Sequence, residues 1–287
     1  MLSAQRLSLA DAPDYLADNG FSGIELLDRQ LSVVDDDALL ALGRRCTARE
    51  CGVIVDAGCD LTLSDPVAIE AELDHLRKVI DQAALLGCSV VRVALGGSRF
   101  SIQKLIRRAR TPDFGRADEA RSIMSSARVR QFGYLYRSHT SNFIGFDESR
   151  FDNTIQALDR ILPYANGRGI SLAIENHWGI SSRPEWILRI VEGVSEPNIG
   201  TCPDFGNFPS LTDRYQGFAM LAPLALHVQA KCWSFGKAGE ERTIDFGRCL
   251  EILGKSGYDR TVAVEYEGGG DEMEACIKAR ELILGNL

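Results

Sequence analysis

The chain alternates between two hydrophobic rhythms. Short, mostly β-branched runs occur at 22–27 (SGIELL), 52–57 (GVIVDA), 89–95 (SVVRVAL), 170–176 (ISLAIEN), 198–204 (NIGTCPD), 226–231 (LHVQAK) and 261–267 (TVAVEYE). Between them lie DDALLALGRRCTARECG, PVAIEAELDHLRKVIDQAALLG, RPEWILRIVEGV, FGRCLEILGKSG and DEMEACIKARELIL, where apolar positions recur every three or four residues. The first rhythm predicts strands and the second amphipathic helices, because side chains share a face every second residue in a strand and every ~3.6 in a helix. Alternating strand and helix units predict a parallel sheet, since each crossover returns the chain to the same edge. Seven such strands without a topological break predict an α/β fold, a closed (β/α)8 barrel, with residues 1–287 forming a single domain.

The rhythm is irregular in two places. LSLADAPDYLADNGF reads as a loop and helix with no strand ahead of it. The first barrel strand is therefore expected to be weak or missing, leaving a gap between the first and last strands. The stretch 97–150 is longer than an ordinary strand-to-helix connection. It is also basic, with ten Lys or Arg between Arg99 and Arg137 against three acids, Asp113, Asp118 and Glu119. Following the strand at 89–95, it is expected to be a long helical insert on the face where barrel active sites are built. There it would be a solvated or oligomer-contacting excursion, or a lid whose arginines meet an anionic substrate.

Composition narrows the classes. The hydrophobic share of 45% and charged share of 25% are those of an ordinary globular chain. A net charge of −8 disfavours wholesale binding of nucleic acid. No apolar run approaches the ~18 residues of a membrane span. The start MLSAQRLSLADAPDYL lacks the basic and apolar regions of a signal peptide, so a cytoplasmic location is expected. The eight cysteines include no CxxC pair and read as reduced, mostly buried small residues.

Strand parity then picks out candidate chemistry. In ALHVQAKCW, Leu226, Val228, Ala230 and Cys232 share one face and His227, Gln229 and Lys231 the other. In SLAIENHW, Ser171, Ala173, Glu175 and His177 share a face; in GTCPDFGN, Gly200, Cys202 and Asp204; in TVAVEYEGGG, Ala263, Glu265 and Glu267. Small residues deep in a strand followed by polar ones at its C-terminal mouth are what a barrel active site needs. Glu175, Asp204 and Glu265, with Gln229 as a neutral oxygen donor, could surround one divalent cation, without which the acids would repel one another. Hard oxygen ligands favour Mn²⁺ or Mg²⁺ over Zn²⁺. The structural alternative is a network in which Lys231, His177 and Arg92 neutralise the acids. Phe205 and Phe208 read as core residues.

The stretches AIENHWGISSRPEWILRIVEG, PNIGTCPDFGNFP, HVQAK and GEERTIDFGRCLEILGKSGYDRTVAVEYEGGGD resemble the xylose-isomerase-like TIM barrels, the sugar phosphate isomerase/epimerase group. The likeness is strong from about Ile170 onward and looser through GFSGIEL and LGCSVVRVALGG; the basic insert has no counterpart in it. The resemblance implies a metal held at four successive strand ends by Glu, Asp, His and Glu. Carried over, these are Glu175, Asp204, Gln229 and Glu265, with Gln229 standing where family members usually have His. His227 shares its face but lies one step deeper, roughly 6–7 Å along the strand, and is the poorer replacement.

The activity implied is sugar or sugar-derivative isomerisation or epimerisation, with proton transfer next to a carbonyl through an enediolate. Glu175 and Glu265 would act as both ligands and acid/base groups. His177, His227, Lys231, Glu267, Trp178 and Arg92 are the substrate-binding candidates for a small carbohydrate or polyol. Trp178, like Trp233, follows a polar strand end and could stack on a sugar face. Dehydration of an inositol-type ketone shares the first step. A non-catalytic or partner-dependent sugar-binding subunit suits the Gln and the imperfect first strand. The endonuclease IV type needs several histidines for a zinc cluster, and this chain has only four, His75, His139, His177 and His227; His75 falls in a helix pattern and His139 in the insert, so the ligand count speaks against that reading. Barrels of this group often pair, so a homodimer or tetramer is expected.

Overall fold

Seven parallel strands form where the short runs predict them: β1 (Gly23–Leu27), β2 (Gly52–Gly58), β3 (Val90–Ala94), β4 (Ser171–Glu175), β5 (Ile199–Cys202), β6 (Val228–Cys232) and β7 (Val262–Tyr266). The structure is a computed structural model that describes residues 7–96, 147–208 and 211–287. β1 to β5 pair in chain order and β6 pairs with β7. The two sheets are joined by the bridges Thr201–Ala225 and Asp204–Gln229. At that seam the Phe205 amide donates to the Gln229 carbonyl (2.9 Å) and the Gln229 amide to the Pro203 carbonyl (3.1 Å). β7 lies beside β1, but among the described residues no ladder joins them. This is the expected gap between first and last strands. Residues 1–6, ahead of the first helix, lie outside the described residues.

The helices are α1 (Ala12–Asp18), α2 (Asp28–Leu31), α3 (Asp36–Ala48), α4 (Pro66–Leu85), α5 (Glu148–Asn166), α6 (Pro184–Gly193), α7 (Leu211–Leu221), α8 (Phe246–Ser256) and α9 (Glu272–Leu284). Four of them start the same way. Asp35, Asp65, Asp245 and Asp271 each accept a hydrogen bond from the backbone amide three residues on. Each such cap is worth about 1 kcal/mol and fixes where a helix leaves the C-terminal face. Asp147 caps α5, so 148–150 are its first turn rather than part of the insert; 97–146, with the arginines and His139, lie outside the described residues. Among the described residues no helix is long and apolar enough to cross a membrane.

Two apolar layers fill the space between strands and helices. Leu26, Val55, Val91, Val93 and Ile174 pack on Leu73, Ile80, Phe151, Leu158 and Ile187. A second layer under β6 and β7 centres on Phe205, whose ring meets Phe218 and Phe246 edge-on, each 5.2 Å away. Phe208 joins this layer, as expected of both phenylalanines. Inside the barrel a small plug of Val90, Ala173 and Cys202 packs with Ile54 and Leu226. Leu226 thus faces inward, against the predicted parity. It precedes β6, where the backbone is not yet a regular strand, and it fills the space left by Gly200. All eight cysteines are free thiols and six are buried.

Candidate active site and metal centre

Above the plug, the inward positions of the strands become polar, and they sort around two buried cations. Arg92 on β3 is the first. Its Nε donates to Glu25 Oε1 (2.5 Å), its Nη2 lies 2.7 Å from Asp56 Oδ2, and its Nη1 pairs with Glu175 Oε2. Register explains the convergence: Asp56, Arg92 and Ala173 are direct neighbours across β2, β3 and β4, so Glu175 sits one inward step above the guanidinium. Glu25 also lies 3.2 Å from His227 Nε2 and accepts from Gln229 Nε2 at 2.9 and 3.1 Å. Burial pushes the Glu25 carboxyl up, but Arg92, His227 and Gln229 outweigh it and hold its pKa at about 2. Asp56 goes the other way, to about 7, because burial and neighbouring acids exceed the pull of Arg92.

Lys231 on β6 is the second cation, 1% exposed. Its Nζ donates to Asn207 Oδ1 (2.9 Å) and lies 3.2 Å from Glu265 Oε2, 3.7 Å from Glu267 Oε1 and 3.9 Å from Asp204 Oδ2. Lys231 and Glu265 are opposite one another in the β6–β7 register, and Gln229 is opposite Asp204 across the seam. Asn207 ties the two halves together. Its Nδ2 donates to Glu175 Oε1 (2.7 Å), and its backbone amide donates to Asp204 Oδ1 (2.7 Å). Asn176 in turn accepts from the Asp204 amide and donates to the carbonyls of Asp204 and Asn207.

Six carboxylates therefore meet two permanent cations, and the surplus is concentrated. Glu175, Asp204 and Glu265 each offer an oxygen within 4.8 Å of the others. Asp204 Oδ2, Glu265 Oε2 and Gln229 Oε1 are buried without a hydrogen-bond partner among the described residues. Burial raises the Glu175 pKa well above the usual carboxylate range despite Arg92, and raises Asp204 to about 8 despite Lys231. Buried acids with unused lone pairs, all aimed into one space, fit a hard divalent cation; its charge would reverse both upward shifts.

The structure brings Glu175, Asp204, Gln229, Glu265, Lys231, His227 and Arg92 into this one enclosure, and Glu267 to its edge. Trp233 is buried and donates from Nε1 to Glu267 Oε2 (3.4 Å). Its loop is held by Glu241, whose carboxylate accepts the amides of Trp233, Ser234, Thr243 and Ile244. His177 and Trp178 follow the end of β4 with ring centroids 3.9 Å apart, and both are half-buried. Sequence reasoning missed Glu25, Asp56, Asn176, Asn207 and Glu241. Parity applied to SGIELL and GVIVDA would have turned Glu25 and Asp56 inward; the two asparagines and Glu241 carry no such signal.

The same fold recurs in solved structures. L-ribulose 3-epimerase is 17% identical with a TM-score of 0.72, covering 97% of this chain and 88% of that one. The apo form of 3-keto-D-glucoside 4-epimerase from E. coli is 14% identical with a TM-score of 0.69, covering 96% and 94%. A xylose isomerase-like TIM barrel protein from Mycobacterium smegmatis in complex with magnesium is 15% identical with a TM-score of 0.62, covering 98% and 90%. No curated protein sequence matches. Residues 13–283 match a single family description that spans α1 to α9 and every strand of the site. On that match and this architecture, the chain belongs to the xylose isomerase-like TIM barrel family.

Proposed function

We propose that this chain is a divalent-metal-dependent isomerase or epimerase of a small carbohydrate or polyol derivative. The observation that carries the reading is the cluster of Glu175, Asp204 and Glu265, whose oxygens lie within 4.8 Å of one another, together with Asp204 Oδ2, Glu265 Oε2 and Gln229 Oε1 buried without hydrogen-bond partners among the described residues. Sugar epimerases share the fold, and one barrel of the same kind holds magnesium. Held by Glu175, Asp204, Glu265 and Gln229 Oε1, a cation such as Mn²⁺ or Mg²⁺ would polarise the substrate's carbonyl and hydroxyl oxygens and acidify the adjacent C–H.

The chain's own groups supply the rest. Glu265, with its side chain 30% exposed where Glu175 is fully buried, would take the proton from the carbon beside the carbonyl. Glu175, buried and held by Arg92 and Asn207, would return one from the other side. Return to the same carbon on its opposite face inverts it; return to the neighbouring carbon exchanges aldehyde and ketone. The Lys231 ammonium stabilises negative charge that develops on the substrate oxygens. Trp233 and Glu267 border the space for the remaining hydroxyls.

The test is exchange of solvent deuterium into the carbon next to the carbonyl of ketopentoses and ketohexoses, followed by NMR with and without Mn²⁺. Metal-dependent exchange that disappears in Glu265→Gln supports the assignment. A protein that neither binds Mn²⁺ or Mg²⁺ by calorimetry nor gains thermal stability from either does not carry this chemistry. That outcome would favour a metal-free sugar-binding subunit, a reading supported by Lys231 sitting among Asp204, Glu265 and Glu267 as a built-in counter-charge.

A further inference from the structure

The amide of Gln229 has two ends, and only one of them is useful to a cation. Its Nε2 faces both oxygens of Glu25, at 2.9 and 3.1 Å. An ionised carboxylate only accepts hydrogen bonds, so the end facing it must be the NH₂ group. The carbonyl Oε1 is thereby turned away from β1, and it is buried without a hydrogen-bond partner, as are Asp204 Oδ2 and Glu265 Oε2. Glu25 cannot easily yield, since Arg92 Nε holds one oxygen and His227 Nε2 the other.

We propose that Glu25 is a positioning residue that fixes the orientation of the Gln229 amide and so presents Oε1 as the neutral oxygen of the cation site. The inference rests on the metal reading above and extends it to a carboxylate on β1, the strand beside β7. It explains how a side chain with a flippable end serves where a ligand needs a defined donor: the Glu25 charge does for the amide what a hydrogen-bonded partner does for a ligating imidazole.

A double-mutant cycle on the full chain tests it, with Mn²⁺ affinity read by calorimetry. Glu25→Gln provides both a donor and an acceptor and removes the orientational preference; Glu25→Asp keeps the charge but withdraws the carboxylate by one methylene. Each is expected to weaken Mn²⁺ binding about 10- to 100-fold in the parent chain and less than about twofold in a Gln229→Ala background. Equal losses in both backgrounds would mean that Glu25 acts through its charge or through the fold, and would overturn the inference.

A second readout needs no metal. In the ¹H–¹⁵N spectrum of the metal-free protein, the Gln229 side-chain amide, assigned by its disappearance in Gln229→Ala, is expected to be protected from exchange and to lose that protection in Glu25→Gln. Unprotected amide protons in the parent chain would overturn the pairing itself. Protected protons in a chain that binds no Mn²⁺ would instead overturn the metal reading, and with it the ligand role of Oε1.

Discussion

Arg92 and Lys231 are both buried cations ringed by carboxylates, yet the two halves of the barrel mouth that they hold differ in what is left over. Around Arg92 the accounts close: each guanidinium nitrogen has a carboxylate, and Glu25 is further held by His227 and Gln229. Around Lys231 they do not, because Asp204 Oδ2 and Glu265 Oε2 remain without hydrogen-bond partners in spite of the nearby ammonium. The planar fork of Arg matches three acids at once, whereas a lysine is a point charge that can be approached but not shared in fixed geometry. The first half is therefore a closed brace, and the second is open to a further cation.

The comparison breaks most visibly at Arg92. Removing it in Arg92→Leu leaves Glu25, Asp56 and Glu175 buried together and is expected to cost about 3–5 kcal/mol of stability. Arg92→Lys should recover only part of this, and Mn²⁺ should not restore it. Urea unfolding measures all three; a loss under about 1 kcal/mol in Arg92→Leu would show that Arg92 does not brace these acids.

Lys231→Met is expected to cost less, about 2 kcal/mol in the metal-free protein, because the ammonium stands 3.2 to 3.9 Å from its acids, whereas each nitrogen of Arg92 is clamped to one. Its distinguishing sign is the response to metal. Without the competing ammonium, Mn²⁺ should raise the melting temperature of Lys231→Met by more than it raises that of the parent chain. Equal shifts in the two proteins would make the halves equivalent.

Gln229→His sharpens the boundary between the halves. An imidazole nitrogen is the stronger ligand, and about a tenfold gain in Mn²⁺ affinity is expected, roughly 1.4 kcal/mol. Unchanged affinity in calorimetry would show that this side chain never reaches the cation.

The smallest effect is expected at the rim of the barrel, at the His75–Asp28 pair, 3.0 Å apart and partly exposed. Burial would raise Asp28, but hydrogen bonds from His75 and from the Gly58 and Arg29 amides hold it below its usual value, while Asp28 raises His75. The Asp28 contribution is present above the ordinary carboxylate pKa near ~4 and fades as pH falls through its folded value. The His75 contribution is present below ~6.5 and fades as pH rises through its own raised value. His75→Ala should therefore cost under about 1 kcal/mol, greatest between these limits, in denaturation series run across pH. A cost as large as that of Lys231→Met would show that burial does not set the scale in this molecule.

Much of this was legible along the chain. The strand runs lie within two residues of β1 to β7, and the six predicted helices, α1 among them, all form. Glu175, Asp204 and Glu265 are legible because each lies at the mouth end of a strand whose deeper inward positions are small, and Gln229 and Lys231 because they share one face of ALHVQAKCW with His227. Helix α5 went unassigned because its first turn lies within the stretch read as insert. Leu226 was turned the wrong way because parity holds only where the backbone is extended, and here that begins at Val228.

What the sequence by itself determined is the period of its hydrophobic positions, and with it the barrel, the inward face of each strand and the acids at the late strand ends. These follow from local geometry, in which side chains two residues apart share a face whatever lies across the sheet. Only the tertiary structure decided the partners. It assigned Arg92 to Glu25, Asp56 and Glu175, gave Lys231 to Asp204, Glu265 and Glu267, placed Asn207 between them and turned Gln229 toward Glu25. Pairing among buried charges depends on the stagger of strands separated by up to about two hundred residues, and no local pattern records that stagger.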